Sequence, residues 1–437
     1  MTALIAAAAM PANAAAASRH EKTIQNLKAV LKAIDAFNVP GYVVGVTGGQ
    51  VWRFERAHGF ADVQRKKKMS LNTRFRIGSI SKTFTATVIL RLVEKGRLHL
   101  NDPISIWEPK VPNAKRITIR RLLDMTSGIW DEGGYGPDGQ VSSLIQQERA
   151  SCSYPNQDPT VCGRYWRPQQ LINLAIQDSQ NITHGPAFPP GVWYYSDTNY
   201  IMLALIAQRV THQPFAQLLG RLVLDPLHLR NTSFPTHSTG GSRIATGYQL
   251  IVNPTTGKLA YVPQVQPSPS SYFGAGNVVS TLHDLQIWAK ALGTGELLTR
   301  RMQRLRLKLV QTGVGFTGLQ NFGQPTALPV QYGLGIANSG GMLGHNGEVP
   351  GYLSEMWYLP RVHGTVVVFL NTITPCGPAL TDLSGLLGDA TSTSLAQVAF
   401  GGSLQRSGPQ LLNTCVTAGQ SPPASLDASK PPIGHIH

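Results

Sequence analysis

Strand-forming sequence lies near both ends of this chain and helical sequence fills the middle. Gly364–Leu370 contains Thr365-Val366-Val367-Val368-Phe369, a β-branched and aromatic run typical of a central strand. Tyr352–Leu359 precedes it as a half-alternating strand, joined through Pro360-Arg361-Val362-His363. Far upstream, residues 42–47 read as a buried strand, Gly48-Gly49 as a hairpin turn and Val51-Trp52-Arg53-Phe54 as the return strand. One sheet built from both ends leaves the intervening helices to form a lobe of their own.

The helical patterns are amphipathic. Ile24, Leu27, Leu31 and Ile34 recur at helical spacing over Glu21–Phe37, and Ile80, Phe84, Val88 and Leu92 do so ahead of Gly96, which is placed to terminate that helix. Thr118–Met125, Pro168–Ile176, Thr198–Val210 and Phe215–Val223 follow, and a last helical stretch covers Thr393–Phe400. The expected fold is therefore α/β, an antiparallel sheet flanked by helices with an inserted all-helical lobe. The sheet lobe would comprise about 18–102 and 260–415, and the helical lobe about 103–259. Residues 129–165 form an unusually long loop, of the kind that shapes a functional rim.

Composition limits the partners. With 42% hydrophobic and only 14% charged residues, the chain is globular rather than disordered. The net charge of +15 is scattered apart from Arg65–Lys68 and the run Arg300, Arg301, Arg304, Arg306 and Lys308. Neither run has interleaved aromatics or a nucleic-acid motif, so nucleic acid is excluded and a solvated face, or weak attraction to an anionic cell envelope, is expected. Met1–Ala17 has the apolar core and Ala12-Asn13-Ala14 site of a signal peptide but lacks basic residues before the core, so it reads as a clipped signal peptide or a disordered N-terminus. Residues 416–437 read as a disordered tail. Four cysteines, Cys152, Cys162, Cys376 and Cys415, suit two disulfides in an exported protein, secreted, periplasmic or envelope-bound. No metal-ligand spacing occurs, and no cofactor is expected.

Chemistry concentrates in three stretches. In Gly78-Ser79-Ile80-Ser81-Lys82, Ser79 and Lys82 share a helix face at roughly 5–6 Å between Cβ atoms. If burial holds the amine neutral, it can take the hydroxyl proton and make Ser79 an acylation centre. Pro189–Tyr200 runs from a turn into a loop in which Tyr195 precedes a helix that Asp197 is suited to cap. Gly344-His345-Asn346-Gly347-Glu348 combines a titratable side chain with glycines that permit close backbone approach.

In this order the three stretches resemble the serine β-lactamase and penicillin-binding protein superfamily, nearest the branch of class C β-lactamases, D-alanyl-D-alanine carboxypeptidases and related esterases. Ser79-x-x-Lys82 matches S-x-x-K, Tyr195-Ser196-Asp197 matches Y-x-N with Asp for Asn, and His345-Asn346-Gly347 matches K/H-x-G in its histidine form. Ile117–Gly128, Gly274–Thr281 and Tyr332–Gly335 are also similar, with Met125 where the family carries a histidine. The resemblance implies a β-lactamase/DD-peptidase-like fold with Ser79 as nucleophile and Lys82 and Tyr195 sharing the proton work. The backbone N–H groups of Ser79 and Glu348 would form an oxyanion hole, and Asp197, His345, Asn346 and Gly347 would contact a small peptide, β-lactam or ester substrate. Asp197 adds a negative charge that favours a protonated Lys82, leaving open which partner is the base. His345 removes a permanent positive charge, which tilts the expectation from β-lactams toward a D-alanyl-D-alanine carboxypeptidase-like peptidase or an esterase. The alternative of another class is a catalytically weakened penicillin-binding or regulatory protein.

Overall fold

The computed structural model describes residues 12–49, 51–133, 142–152, 155, 157–180, 188–238, 244–253, 256–312, 330–373 and 384–400. Cys376, Cys415 and the 416–437 tail lie outside these residues.

A nine-stranded sheet takes β1 (Gly41–Gly48), β2 (Trp52–Asp62) and β3 (Lys67–Lys68) from one end of the sequence. From the other it takes β4 (Val310–Gln311), β5 (Val330–Tyr332), β6 (Ala337–Ser339), β7 (Met342–Val349), β8 (Tyr352–Leu359) and β9 (Gly364–Leu370). The spatial order is β3-β2-β1-β9-β8-β7-β6-β5-β4, antiparallel throughout. The seam between the two ends is β1 against β9, with Val44 opposite Val368 and Val46 opposite Val366. Every residue of β8 and β9 is buried, so the half-alternation of β8 does not mark a solvated face. Helices cover both faces. A Cβ on Gly45 would strike Leu282 and Gln286 on one face, while one on Gly364 would strike Phe400 on the other.

The helices that matter for the site are α1 (Ala12–Asp35), α2 (Ser81–Glu94), α3 (Pro168–Gln180), α4 (Asp197–Thr211), α5 (Leu282–Thr294) and α6 (Ser384–Phe400). Helix α1 begins inside the segment expected to be a signal peptide or disordered, because its alanines carry the highest helix propensity. Helix α5 has no counterpart in the sequence reading. It is capped by Thr281, whose hydroxyl accepts the Asp284 N–H, and it closes in the left-handed Gly295.

Helix α2 is enclosed on nearly all sides. Ile80, Phe84, Val88 and Leu92 are buried as their spacing predicts, and each contributes about 1.5–3 kcal/mol by leaving water. Thr83, Thr85 and Thr87 are buried too, and each hydroxyl is satisfied: Thr83 donates to Ile80 O, Thr85 to Gly274 O and Thr87 to Thr83 O. Trp288 Nε1 donates to Thr83 and Arg306 Nη2 to Thr87.

Two expectations need correction. Tyr248–Val252 lies within the stretch expected to be all-helical, yet it pairs with Leu259–Pro263 and with Thr372–Ile373 in a second, three-stranded sheet. The long 129–165 segment contains the helices Ser143–Cys152 and Pro159–Cys162. A Cys152–Cys162 disulfide ties these together, one of the two bridges that the four cysteines suit.

Candidate active site

Three backbone segments converge where α2 begins. Gly78–Ile80 forms a 3-10 turn that feeds directly into α2, with Ser79 half-buried and Lys82 in the first helical turn. Lys82 is 0% exposed and its Nζ lies 2.8 Å from Ser79 Oγ. It also donates to Ala275 O at 3.2 Å and pairs with Asp197 Oδ1 at 2.6 Å. The Tyr195 ring sits 4.7 Å from the ammonium, and its hydroxyl is hydrogen-bonded to Ser79. Burial first, then the charge of Asp197, holds the Tyr195 phenol well above its usual range. Tyr195 is therefore a neutral phenol at working pH, which argues against a stored phenolate base.

Asp197 does not cap α4. Ser196 is the residue ahead of the helix and Asp197 its first member, with the Asp197 N–H donating to Asp131 Oδ1 at 2.8 Å. This frees the Asp197 carboxylate to face Lys82. Behind it stand two acids that no motif marks, Asp131 and Glu132. Oxygens of Asp131, Glu132 and Asp197 lie within 4.8 Å of one another. Thr198 donates to Glu132 Oε2. Burial, then the Asp197 charge, pushes the Asp131 carboxyl up to about 8, and burial with both neighbouring acids pushes Glu132 well above the carboxylate range. The cluster shares one ammonium among three carboxyls by keeping protons.

The third segment is β7. His345 is fully buried, with Nδ1 donating to Asn346 O at 2.5 Å and Nε2 lying 3.1 Å from the Tyr332 hydroxyl. Since a carbonyl can only accept, the imidazole is the Nδ1–H tautomer and Tyr332 is the donor to Nε2. Burial, then the charge of Lys82, pushes His345 down to about 3, so it is neutral and supplies no charge for a substrate carboxylate. Asn346 alternates to the other face of the sheet from His345, in register with Glu355, so its side chain is not beside Ser79. Only its carbonyl serves the site. A Cβ on Gly347 would fall 2.0 Å from Ile77 O, so this glycine is required for β7 to reach the 3-10 turn rather than to contact substrate. One residue further, the Glu348 N–H lies against Gly78, where a Cβ would come within 2.5 Å of that nitrogen. Gly78 holds φ +49°, which L side chains rarely adopt.

These buried groups predict a pH profile of stability. The folded chain holds a proton on Asp131 up to about 8, whereas an unfolded Asp releases it near 3.9, so stability falls as pH rises across that interval. His345 acts oppositely: protonated near 6.5 when unfolded and only near 3 when folded, it makes stability rise with pH up to about 6.5. The two effects cancel in part below pH ~6.5, and above it the buried carboxyls act without the imidazole: Asp131, Glu132 beside it, and Glu148, which burial pushes up to about 7. We expect urea denaturation to give a stability lower by at least about 2 kcal/mol at pH 8 than at pH 6.5, and Asp131→Asn to make this slope shallower. A stability that rises over that interval would contradict the assignment.

A serine hydroxyl in contact with an enclosed lysine, at the meeting of a helix-covered antiparallel sheet and a helical lobe, defines an α/β serine hydrolase. The comparisons agree. The chain belongs to the family described as Beta-lactamase, matched over residues 27–384. It is similar to a putative penicillin-binding protein PbpX of Bacillus subtilis (strain 168), 25% identical over 351 residues, covering 80% of this chain and 75% of that protein. It is 26% identical over 353 residues to protein flp of Staphylococcus aureus (strain MRSA252), covering 79% of this chain and 62% of flp, so it spans less than two thirds of that relative. Among solved structures, a D-stereospecific amidohydrolase from Streptomyces sp. superposes with TM-score 0.67 at 26% identity, over 88% of this chain and 99% of the other.

Proposed function

We propose that this chain is an amidohydrolase of D-amino-acid amides and short D-peptides, working through an acyl-enzyme on Ser79. The observation that carries the reading is the 2.8 Å contact between Ser79 Oγ and an ammonium enclosed by Asp197, Ala275 O and the Tyr195 ring. Ser79 Oγ attacks the amide carbonyl as its proton passes, through the Tyr195 hydroxyl or directly, to Lys82 Nζ, which hands one of its own protons to the Asp197 carboxylate 2.6 Å away. The tetrahedral oxyanion meets the N–H groups of Ser79 and Glu348, then collapses as the amine leaves with a proton delivered through the same groups. Tyr195, held as a phenol, relays that proton without storing it. Water then repeats the sequence on the ester and releases the acid.

The choice of substrate rests on charge. Asp197 pairs with Lys82, Asp131 and Glu132 stand behind it holding their protons, and His345 is neutral, so the ammonium is already balanced. That balance favours neutral or amine-bearing amides over substrates gripped by their own carboxylate, including β-lactams and carboxy-terminal D-alanine. The D-stereospecific neighbour supports the D-configuration. Export to an oxidising compartment belongs to the same proposal, supported by the Cys152–Cys162 disulfide.

The test is a substrate panel with purified protein: D- and L-phenylalanine amide, D-alanyl-D-alanine, a chromogenic cephalosporin and p-nitrophenyl butyrate. The D-amide is expected to be turned over at least about tenfold faster than the L-amide, and ahead of both carboxylate-bearing substrates. Faster turnover of the dipeptide or the cephalosporin overturns the substrate choice, and no turnover of any member favours the binding-protein alternative.

A further inference from the structure

The two N–H groups of the proposed oxyanion hole come from elements more than 260 residues apart, and what fixes their separation decides how well they meet a developing charge. Each follows a carbonyl at the junction: Ile77 O, which accepts the Ile80 N–H at 3.2 Å, precedes the Gly78-Ser79 turn, and Gly347 O precedes Glu348. Both carbonyls are within reach of one hydroxyl. Ser354 Oγ, on β8 directly opposite Gly347, lies 2.9 Å from Ile77 O and 3.1 Å from Gly347 O. Ser354 is fully buried. The three groups are in close contact, since a Cβ on Gly347 would fall 2.0 Å from Ile77 O and 2.7 Å from Ser354 Oγ. The turn is also anchored from behind, where Ile77 N donates to Val278 O and Val278 N donates to Ser81 Oγ.

We infer that Ser354 is a positioning residue for acyl transfer, its hydroxyl shared between Ile77 O and Gly347 O so that the nucleophile turn and β7 hold the Ser79 and Glu348 N–H groups at a fixed separation. The inference rests on the proposed acyl-enzyme reading. Ser354 touches neither substrate nor the reacting atoms. Its effect is geometric: without the shared donor, two adjacent carbonyls repel and the turn and strand part. Misplacement of an oxyanion donor by a fraction of an ångström weakens the transition state while leaving ground-state binding unchanged.

Two variants test this. Ser354→Ala removes the donor, and Ser354→Cys keeps a group of similar shape with a weak one. Both are compared with the wild type and Ser79→Ala in three measurements: kcat and KM on the preferred panel substrate, the rate of fluorophosphonate labelling, and inhibition by phenylboronic acid, which becomes tetrahedral on a serine. Thermal melting identifies any variant that fails to fold, in which case the other carries the test. The expected result is a kcat and a labelling rate lower by about 10–100-fold, weaker boronate inhibition in similar proportion, and KM and the pH profile unchanged. If both folded variants keep wild-type kcat and boronate affinity, or if the loss appears in KM alone, the inference fails while the acyl-enzyme reading stands. If the wild type itself neither turns over substrate nor labels at Ser79, both fail together.

Discussion

Ser79→Ala is expected to lower turnover of the preferred substrate by at least about 10⁴-fold and to leave the fold intact. The hydroxyl is half-buried, and the hydrogen bond lost with it is worth about 0.5–1.5 kcal/mol, so the melting temperature should move by only a few degrees. Lys82 keeps Asp197 and Ala275 O as partners after the change. Treatment with a fluorescent penicillin and a fluorophosphonate, read by intact mass, checks the assignment: the wild type gains one adduct and the variant none. Equal labelling of the two proteins would place the nucleophile elsewhere.

The second large effect is Lys82→Met, which should remove activity by at least about 10³-fold and destabilise the protein by about 3 kcal/mol. Methionine fills a similar volume, so packing is preserved and the loss reports charge. Without the ammonium, Asp197 faces Asp131 and Glu132 with no cation within contact, and leaving a buried charge uncompensated is costly even where the pair itself contributes little. Adding Asp197→Asn should restore much of the stability and none of the activity. Urea denaturation of the two single variants and the double variant forms a mutant cycle, and additive effects would mean that the ion pair has no structural role.

Much of the frame was legible because it rests on local pattern. The Gly48-Gly49 turn, the β-branched run of β9 and the stripe through Phe84 and Val88 each declare an element from a few adjacent residues. The missing helix α5 and the strand Tyr248–Val252 show where pattern is insufficient. The strand is short, and it owes its state to pairing with Leu259–Pro263 and with Thr372–Ile373, more than a hundred residues away. At the site, motif spacing marked Ser79, Lys82, Tyr195, Asp197 and His345, and the structure brings them together. It separates Asn346 from them, because a strand alternates faces and the neighbour of a cleft residue points away. Asp131, Glu132 and Ser354 carried no signal at all. Each acts through a group distant in sequence, and an isolated acid or serine looks the same on a solvated loop as in a buried network.

By itself, then, the sequence determined that a serine and a lysine would share a face at the head of a buried helix, since helical periodicity fixes three-residue spacing wherever the helix lies. What that pair can do was decided only by tertiary structure. Folding places Asp197 2.6 Å from Lys82 and sets Asp131 and Glu132 behind it, so the lysine meets an acidic cluster rather than an apolar wall. The same packing dries out His345 into a neutral imidazole and brings Glu348 against Gly78. Charge states and hydrogen-bond geometry depend on desolvation and on neighbours across the fold, and those quantities exist only once the chain has closed.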